Sequence, residues 1–217
     1  MNEDWKYQKR RERLVEELRE KGIQDERVLA AIGRVPRHLF VDVALRNRAY
    51  NDEALPIGLK QTISQPFTVA YQTMMLDPKP DEKILEIGTG SGYQAAVLGE
   101  MGARVFSVER IRSLYERTSR LLRALDYRAV CRCGDGTKGW ESAGPFDGII
   151  VTAAATSVPD DLLQQLRAPE DEGPGGRLII PVGDRASQRM NRITRHGPES
   201  FQREETDGFR FVPLISS

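Results

Sequence analysis

Apolar and polar residues follow two different rhythms along the chain, and the rhythm changes near residue 80. Before that point, apolar residues recur at helical spacing. They predict helices along 14–23, after Asp25 and along 69–76, and a further helix over 35–47 with Pro36 in its first turn. The segment 50–65, which contains Pro56 and Gly58, is predicted to be irregular.

Beyond residue 80, short apolar runs alternate with amphipathic stretches. Strands are predicted over 83–87, 103–109, 127–133, 146–154 and 176–182, and helices over 91–101, 111–125 and 159–166. Strands that alternate with helices build a parallel sheet with helices on its faces. The runs 189–196 and 208–216 have only a loop between them and predict an antiparallel hairpin.

This pattern predicts the α/β fold class: a doubly wound, mostly parallel, Rossmann-like sheet with an N-terminal helical extension and a C-terminal antiparallel hairpin. No stretch has the composition of a linker. Residues 1–217 are therefore predicted to form a single domain, in which 1–80 is the extension and 81–217 the α/β core.

The first predicted strand of the core leads into a glycine-rich turn, ILEIGTGSGYQ (84–94). In an open parallel sheet, ligands bind beyond the carboxyl ends of the strands, and glycines let a ligand contact the backbone. Gly88, Gly90 and Gly92 follow the spacing G-x-G-x-G, whereas a dinucleotide fingerprint is G-x-G-x-x-G. Glu86 at the strand end would repel a pyrophosphate. It suits a cationic ligand such as S-adenosylmethionine, which carries a sulfonium and an ammonium group.

Two further acids follow the next two strands. Glu109 lies 21 residues after Gly88, where an acid is expected to accept hydrogen bonds from ribose hydroxyls. Asp135 and Gly136 follow the third strand, where an adenine edge could be read. Taken alone, the glycines could form an ordinary strand-to-helix turn, and Glu109 could be a solvated acid at a helix start. Their order after successive strands favours a cofactor pocket.

Charge and composition argue against several classes of function. The 32 basic and 32 acidic residues give no net charge, so no nucleic-acid partner is indicated, and the basic run 6–13 is predicted to be a solvated helix face. The apolar runs are too short to cross a bilayer and the first residues do not resemble a secretory signal, so no membrane partner is expected. Cys131 and Cys133 are expected to be reduced thiols of a cytoplasmic protein, and no metal site is predicted.

Several segments outside the glycine turn resemble the protein-L-isoaspartate O-methyltransferase family, and the resemblance extends from about Gly22 to the last strand. It is carried by VPRHLFV (35–41), AYNDEALPIG (49–58), QTISQP (61–66), LEIGTGSGYQAAVL (85–98), VER (108–110), GDGTKGW (134–140), PFDGIIVTAAA (145–155), IIPVG (179–183) and FVPL (211–214). The glycine turn is shared by many methyltransferases. QTISQP and FVPL are more specific, because cofactor binding alone does not require them.

The resemblance implies a protein repair enzyme that uses S-adenosylmethionine and leaves S-adenosylhomocysteine. Its substrates would be damaged proteins and peptides that contain L-isoaspartyl residues, with D-aspartyl residues as a second candidate. The family methylates the free α-carboxylate, the ester returns to a succinimide, and part of the succinimide reopens as normal aspartate. The implied fold is the S-adenosylmethionine-dependent methyltransferase fold with a strand order altered near the C-terminal hairpin. We expect a monomer.

The resemblance also marks Ser64 as the active-site residue. A carboxylate is already ionised at neutral pH, so methyl transfer needs alignment and positioned donors rather than a strong base. Ser64 is predicted to be the main donor, although on sequence alone it could equally be a helix N-cap. Thr62 is assigned to both cofactor and substrate, and Gln65, Pro66 and Val212 to the substrate. Without the resemblance, Val212 could equally be a buried core residue.

The remaining assignments concern the cofactor and the two histidines. The predicted cofactor-binding residues are Thr62, Glu86, Gly88, Gly90, Gly92, Glu109, Asp135 and Gly136, with Glu86 and Gly88 at the methionine end. His38 is predicted to be structural and His196 to lie in a loop.

The chain departs from the family pattern at one point near the predicted site. Leu59 and Lys60 stand where many relatives have Gly-Gln, and the change at Lys60 is expected to alter the rim of the substrate site without abolishing the chemistry. Three other functions compete: a methyltransferase for a small molecule or RNA, a non-catalytic module that keeps the cofactor as a structural ligand, and a nicotinamide-dependent oxidoreductase. The first has no use for QTISQP and FVPL, and the glycine spacing disfavours the last.

Overall fold

A twisted, mostly parallel sheet forms the centre of the protein. The computed structural model describes residues 5–170, 173–184, 187–209 and 211–215. Its strands are β1 (Leu55–Gly58), β2 (Gln61–Ile63), β3 (Lys83–Ile87), β4 (Arg104–Glu109), β5 (Ala129–Cys133), β6 (Gly148–Val151), β7 (Arg177–Gly183), β8 (Gln188–Arg195) and β9 (Phe201–Phe209). Its helices are α1 (Trp5–Glu20), α2 (Glu26–Arg34), α3 (Pro66–Leu76), α4 (Tyr93–Glu100), α5 (Arg112–Ala124) and α6 (Asp160–Gln164).

The strand order of the large sheet is β5-β4-β3-β6-β7-β8-β9. Strands β3 to β7 run parallel, whereas β8 is antiparallel to both of its neighbours. The chain moves outward from β3 to β5 on one side and then returns to place β6 on the other side. This reversal makes the carboxyl ends of β3 and β6 the expected position of a ligand. The predicted fold class is confirmed.

The sheet separates two hydrophobic cores. Neighbouring residues of β3 point to opposite faces, so Ile84 enters one core and Leu85 the other. The first core also takes apolar residues from α1 to α5, and the second packs under Leu162 of α6. Because both faces are covered, the central strands are continuous apolar runs, which is why they are recognisable in the sequence.

The segment between α2 and α3 differs from the prediction. The expected helix over 35–47 is replaced by two 3-10 turns, Arg37–Leu39 and Val43–Arg48. Asp42 accepts a hydrogen bond from the Ala44 backbone N–H at 2.9 Å and so starts a separate turn. The segment expected to be irregular contains β1 and β2, which pair as an antiparallel hairpin. The proposed division of the domain at residue 80 stays a prediction.

The C-terminal hairpin is present, but its second strand lies earlier in the sequence than predicted. It is formed by β8 and β9, so the strand occupies 201–209 rather than 208–216. The described residues that follow, 211–215, form a separate extended segment beside Ala154. Before β7, the described residues 168–170 and 173–176 contain neither helix nor strand. Within the described ranges, no helix is long and apolar enough to cross a membrane.

Arg177 connects several elements at the edge of the sheet opposite to the expected ligand position. The Arg177 side chain, which is 11% exposed, forms an ion pair with Glu82. It also donates hydrogen bonds to the backbone carbonyls of Leu76, Asp77 and Asp147. Arg177 therefore joins β7 to the end of α3 and to the loops before β3 and β6.

Candidate active site

A cavity of about 470 Å³ lies at the carboxyl ends of β3, β4 and β6. Its walls come from the hairpin and the residues after it (59–64), the glycine turn (86–91), the end of β4 (108–111) and the terminal segment 212–215. Thr62 and Ser64 therefore border the same space as Gly88 and Gly90. The structure brings together the two motifs that the sequence placed about 25 residues apart.

The three glycines of the turn all have positive φ, but their surroundings differ. Gly88 has φ +96°, and a Cβ atom there would lie 2.6 Å from the Thr152 hydroxyl. Gly90 has φ +51°, and a Cβ atom there would make only an ordinary contact, 3.8 Å from Ile57 Cδ1. Gly92 does not line the cavity within the described part of the chain, because a Cβ there would meet Thr118 at 2.7 Å. Only Gly88 and Gly90 therefore form the cradle, and Gly92 lets α4 pack against α5.

Glu86 forms the buried floor of this cavity. One carboxylate oxygen accepts a hydrogen bond from the Ser107 hydroxyl, which lies 2.6 Å from the Thr89 hydroxyl. The other oxygen, Oε1, has no hydrogen-bond partner among the described residues. Burial, opposed by the Ser107 hydrogen bond and reinforced by the Glu109 charge, raises the pKa of Glu86 to about 8. Without a cation beside it, Glu86 is therefore mainly protonated at neutral pH.

Glu109 ends β4 and connects two loops around the cavity. Its Oε2 accepts a hydrogen bond from the Gly90 backbone N–H at 2.9 Å, and its Oε1 accepts one from Ile111 N–H at 2.8 Å. A carboxylate has about four acceptor positions, so each oxygen can accept a further hydrogen bond from a ligand. Glu109 thus fixes the glycine turn and still lines the cavity.

Asp135 and Gly136 have different positions at the end of β5. Gly136 lines the cavity, and a Cβ atom there would lie 2.5 Å from Ile87 Cγ2. Asp135 is not among the described residues that line the cavity. Its Oδ1 instead accepts hydrogen bonds from the backbone N–H and the hydroxyl of Thr137, at 2.9 and 2.7 Å. The carboxylate of Asp135 therefore caps the short turn 136–138.

Ser64 lies at the corner between β2 and α3. The N-cap position of α3 is held by Gln65 and its first position by Pro66, so Ser64 is not the helix cap that the sequence left open. Its side chain forms no hydrogen bond with the described residues, which leaves the hydroxyl available to a ligand. Gln65 and Pro66 lie behind the corner and do not contribute to the described lining.

The start of α3 is capped by a residue from a distant loop. Asp52 accepts a hydrogen bond from the Phe67 backbone N–H at 2.7 Å, and its other oxygen lies 2.7 Å from Lys21 Nζ. Asp52 has no predicted role, although it belongs to the AYNDEALPIG segment that carries the resemblance. Asp52 fixes the first turn of α3 and with it the position of Ser64.

Val212 contributes to the opposite wall. Its carbonyl accepts a hydrogen bond from Ala154 N–H at 2.7 Å, and Leu214 N–H donates back to the Ala154 carbonyl at 2.6 Å. The Val212 side chain is half-buried and lines the cavity, so it is not an ordinary core residue. The terminal segment is therefore attached to the sheet at its switch point, close to the end of β6.

Two further residues near the glycine turn were not identified from the sequence. Arg37 is fully buried, donates hydrogen bonds to the carbonyls of Ala49 and Glu53, and lies 4.8 Å from the ring of Tyr93. Burial lowers the pKa of Arg37 to about 10. Tyr93 begins α4 and lines the cavity. The buried cation thus connects the N-terminal region to the turn.

Neither histidine reaches the cavity. His38 stacks on Tyr7 with ring centroids 4.0 Å apart and shares a 2.7 Å hydrogen bond with the Tyr50 hydroxyl. His196 is exposed in the loop after β8. The described lining contains no histidine.

Comparison with known proteins now identifies the family. The sequence model of the protein-L-isoaspartate(D-aspartate) O-methyltransferase family matches residues 9–217. The chain belongs to this family. Membership confirms the predicted enzyme class and its methyl donor, S-adenosylmethionine.

Individual relatives agree with the family match. The chain is 61% identical to a protein-L-isoaspartate O-methyltransferase of Salinibacter ruber, over 99% of this chain and 95% of that protein. It is 52% identical to the Pseudomonas paraeruginosa enzyme of the same name, over 96% of this chain and 97% of that protein. A solved protein-L-isoaspartate O-methyltransferase superposes with a TM-score of 0.82 at 27% identity, covering 95% of this chain and 66% of that one.

A second solved structure supports the fold alone. It is that of a putative protein-L-isoaspartate O-methyltransferase from Plasmodium falciparum in complex with S-adenosyl-L-homocysteine. It superposes with a TM-score of 0.81 at 23% identity and covers 95% of this chain and 99% of that one.

The residues of the cavity fit a cationic adenosyl cofactor. Gly88 and Gly90 bring the backbone to the surface, and the unpartnered Glu86 oxygen offers a negative charge to a cation above it. Glu109 and Gly136 both line the cavity, and their assignment to the ribose and the adenine stays a prediction. The cavity volume lies within the range of about 300–1,000 Å³ that is usual for small-molecule sites.

Cofactor binding is expected to release a proton from Glu86. Below a pKa of about 8 the free enzyme keeps this proton, and a neighbouring cation favours its loss. Affinity for S-adenosylmethionine should therefore rise with pH up to about 8, by at most about tenfold per pH unit, and then level off. Isothermal titration calorimetry in buffers of different ionisation enthalpy counts the protons released.

Two variants separate Glu86 from other sources of pH dependence. Glu86→Gln should release fewer protons than the wild type, because the amide does not titrate. Glu109→Gln should weaken cofactor binding by about 1–3 kcal/mol, the range for a lost hydrogen bond to a charged group. It should reduce the proton release only in part, because burial is the largest cause of the raised Glu86 pKa and the Glu109 charge a smaller one. Equal proton counts for the wild type and Glu86→Gln would remove Glu86 from this role.

Proposed function

We propose that Ser64 positions the free α-carboxylate of an isoaspartyl residue for methylation within this cavity. The observation that carries the proposal is the shared cavity of Ser64 and the glycine turn. A donor for a carboxylate and a cradle for a methyl donor must face each other if the transfer is to occur in line. S-adenosylmethionine, when bound, supplies an electrophilic methyl group on a sulfonium.

The chain's own residues would act through alignment rather than proton transfer. The Ser64 hydroxyl can donate a hydrogen bond to one carboxylate oxygen and leave the other free to attack. With the cofactor in place, this free oxygen would be the nucleophile toward its methyl group. Opposite charges are neutralised in this step, so the apolar walls from Val69 and Val212 favour it over the separated ions. Alignment can supply several kcal/mol.

The substrate side of the cavity suits an extended peptide. Thr62, in β2, and Val212, in the terminal segment, both border the cavity that Ser64 lines. The ester leaves the enzyme and closes to a succinimide, part of which opens to aspartate. D-aspartyl residues are proposed as a second substrate, because they too expose a displaced carboxylate.

The experiment that tests the function uses a pair of peptides. One contains an isoaspartyl residue and the other, of the same sequence, a normal aspartyl residue. Methyl transfer from labelled S-adenosylmethionine to the first alone supports repair activity. Equal transfer to both, or transfer only to RNA or a small molecule, would contradict it, and cofactor binding without any transfer would indicate a non-catalytic module.

Other properties stay predictions from the sequence. These are a monomeric state, the lack of a nucleic-acid or membrane partner, and a cytoplasmic location. The last is supported by Cys131 and Cys133, which are both free thiols.

A further inference from the structure

The turn of the β1–β2 hairpin contains residues that fit its backbone poorly. Leu59 and Lys60 are its two central residues and have φ values of 53° and 57°. A turn with positive φ at both positions favours Asn-Gly, because the Cβ atom of other L-residues is crowded in the left-handed region. Non-glycine residues at such strained positions indicate that their side chains have a functional role.

Both side chains lie at the cavity that contains Ser64. Leu59 and Lys60 belong to its lining, and both are exposed to solvent. Leu59 is 55% exposed, and Ile215, which lines the cavity from the terminal segment, is 50% exposed. Few large apolar side chains of the described residues are this exposed, and two of them border the same opening.

The accessible charge at this opening is positive. Lys60 is exposed and forms no ion pair with any described residue. Arg110, another lining residue, is also exposed. The two acids of the described lining, Glu86 and Glu109, are buried and hydrogen-bonded to Ser107 and to backbone N–H groups. An approaching peptide therefore meets a cationic rim flanked by apolar side chains.

The position of Lys60 sets the part of the peptide that it can reach. Lys60 and Ser64 are separated by the extended strand β2, so their Cα atoms are at most about 13 Å apart. A peptide that presents a carboxylate to Ser64 passes the Lys60 ammonium about two to four residues away, since an extended chain rises about 3.3 Å per residue.

We propose that the Leu59–Lys60 turn selects isoaspartyl sites that have an acidic side chain about two to four residues away. Lys60 pairs with this second carboxylate, and Leu59 and Ile215 pack on the apolar parts of the peptide. The inference depends on the proposed function, because it concerns the choice among isoaspartyl peptides.

The test compares peptides that differ only in flanking charge. Each peptide contains one isoaspartyl residue and carries Glu, Gln or Lys two, three or four positions to either side. At low salt, kcat/KM of the wild type should be higher for the best Glu peptide than for its Lys counterpart. A difference of about two- to fivefold is expected for an exposed ion pair, and it should shrink as salt is added.

Substitutions at the turn should change this ratio. Lys60→Gln should bring the ratio of kcat/KM for the Glu peptide to kcat/KM for the Lys peptide (the Glu-to-Lys ratio) close to one. Lys60→Glu should invert this ratio. Lys79→Gln is the matched control, since it removes the same charge from the loop before β3, at the opposite edge of the sheet, and should keep the wild-type ratio. A double variant, Leu59→Asn with Lys60→Gly, should raise the thermal midpoint and lose the selectivity.

The outcomes separate this inference from the function beneath it. A Glu-to-Lys ratio that is the same in the wild type and both Lys60 variants would overturn the inference but leave the methyltransferase activity standing. Weaker binding of S-adenosylmethionine by Lys60→Gln would assign Lys60 to the cofactor instead, and would also overturn it. No methylation of any isoaspartyl peptide by the wild type would contradict the function itself.

Discussion

Replacing Ser64 with alanine is expected to lower kcat for an isoaspartyl peptide by about 10²- to 10³-fold, the usual cost of removing a positioned donor. The hydroxyl faces the cavity and has no hydrogen-bond partner among the described residues, so its removal affects the incoming carboxylate rather than the fold. Cofactor affinity should be unchanged, because the glycine cradle and Glu109 are untouched. Methylation kinetics and cofactor calorimetry on the same preparation measure both quantities.

The matched control for this variant is Ser113→Ala. Ser113 is an exposed serine near the start of α5, outside the described lining of the cavity. It should retain the wild-type kcat. An unchanged kcat in Ser64→Ala would exclude Ser64 as the principal donor, and a loss of cofactor affinity of similar size would place it in the cofactor site.

Replacing Arg177 with methionine should reduce the free energy of unfolding by about 3–5 kcal/mol, the range for breaking a buried ion pair by removing one partner. The variant leaves Glu82 without its cation and the carbonyls of Leu76, Asp77 and Asp147 without a shared donor. For a chain of this length, the thermal midpoint should fall by on the order of 10 °C. Thermal or urea denaturation monitored by circular dichroism gives the difference.

A surface arginine provides the comparison. Arg189 lies 3.6 Å from Glu205, with its side chain 71% exposed. Arg189→Met should change the free energy of unfolding by less than about 1 kcal/mol, because exposed ion pairs are screened by water. If the two variants were equally destabilised, the contacts of Arg177 would not stabilise the fold more than an exposed ion pair does.

The α/β core was predictable because burial on both faces makes its strands continuous apolar runs. The N-terminal helices were also predictable, but the segment 35–47 was not, since the side chain of Arg37 turns inward to backbone carbonyls and Asp42 starts a new turn. The β1–β2 hairpin was missed because Leu59–Lys60 lacks the Asn-Gly signal. Strand β9 was placed too late because FQREETDGF (201–209) at the sheet edge is mainly polar.

The site shows a similar division. The glycine turn, Glu86 and Glu109 were recognisable because each lies at the end of a predicted strand, whereas Ser64 was assigned only through the family resemblance. Their separate roles were not recognisable, because Gly92 is required by a neighbouring helix and the ionisation of Glu86 depends on burial. The role of Asp52 as a helix cap was not predictable, since Asp52 lies 15 residues before Phe67, whose backbone N–H donates to it.

The link from Lys21 through Asp52 to Phe67 joins the end of α1 to the residues next to Ser64. If α1 loosens by local fraying, Asp52 loses its cation but keeps its hydrogen bond to Phe67 N–H. We therefore expect the corner that carries Ser64 to become less firmly held under mild denaturant while the sheet remains intact, so that part of the activity is lost before the molecule as a whole unfolds.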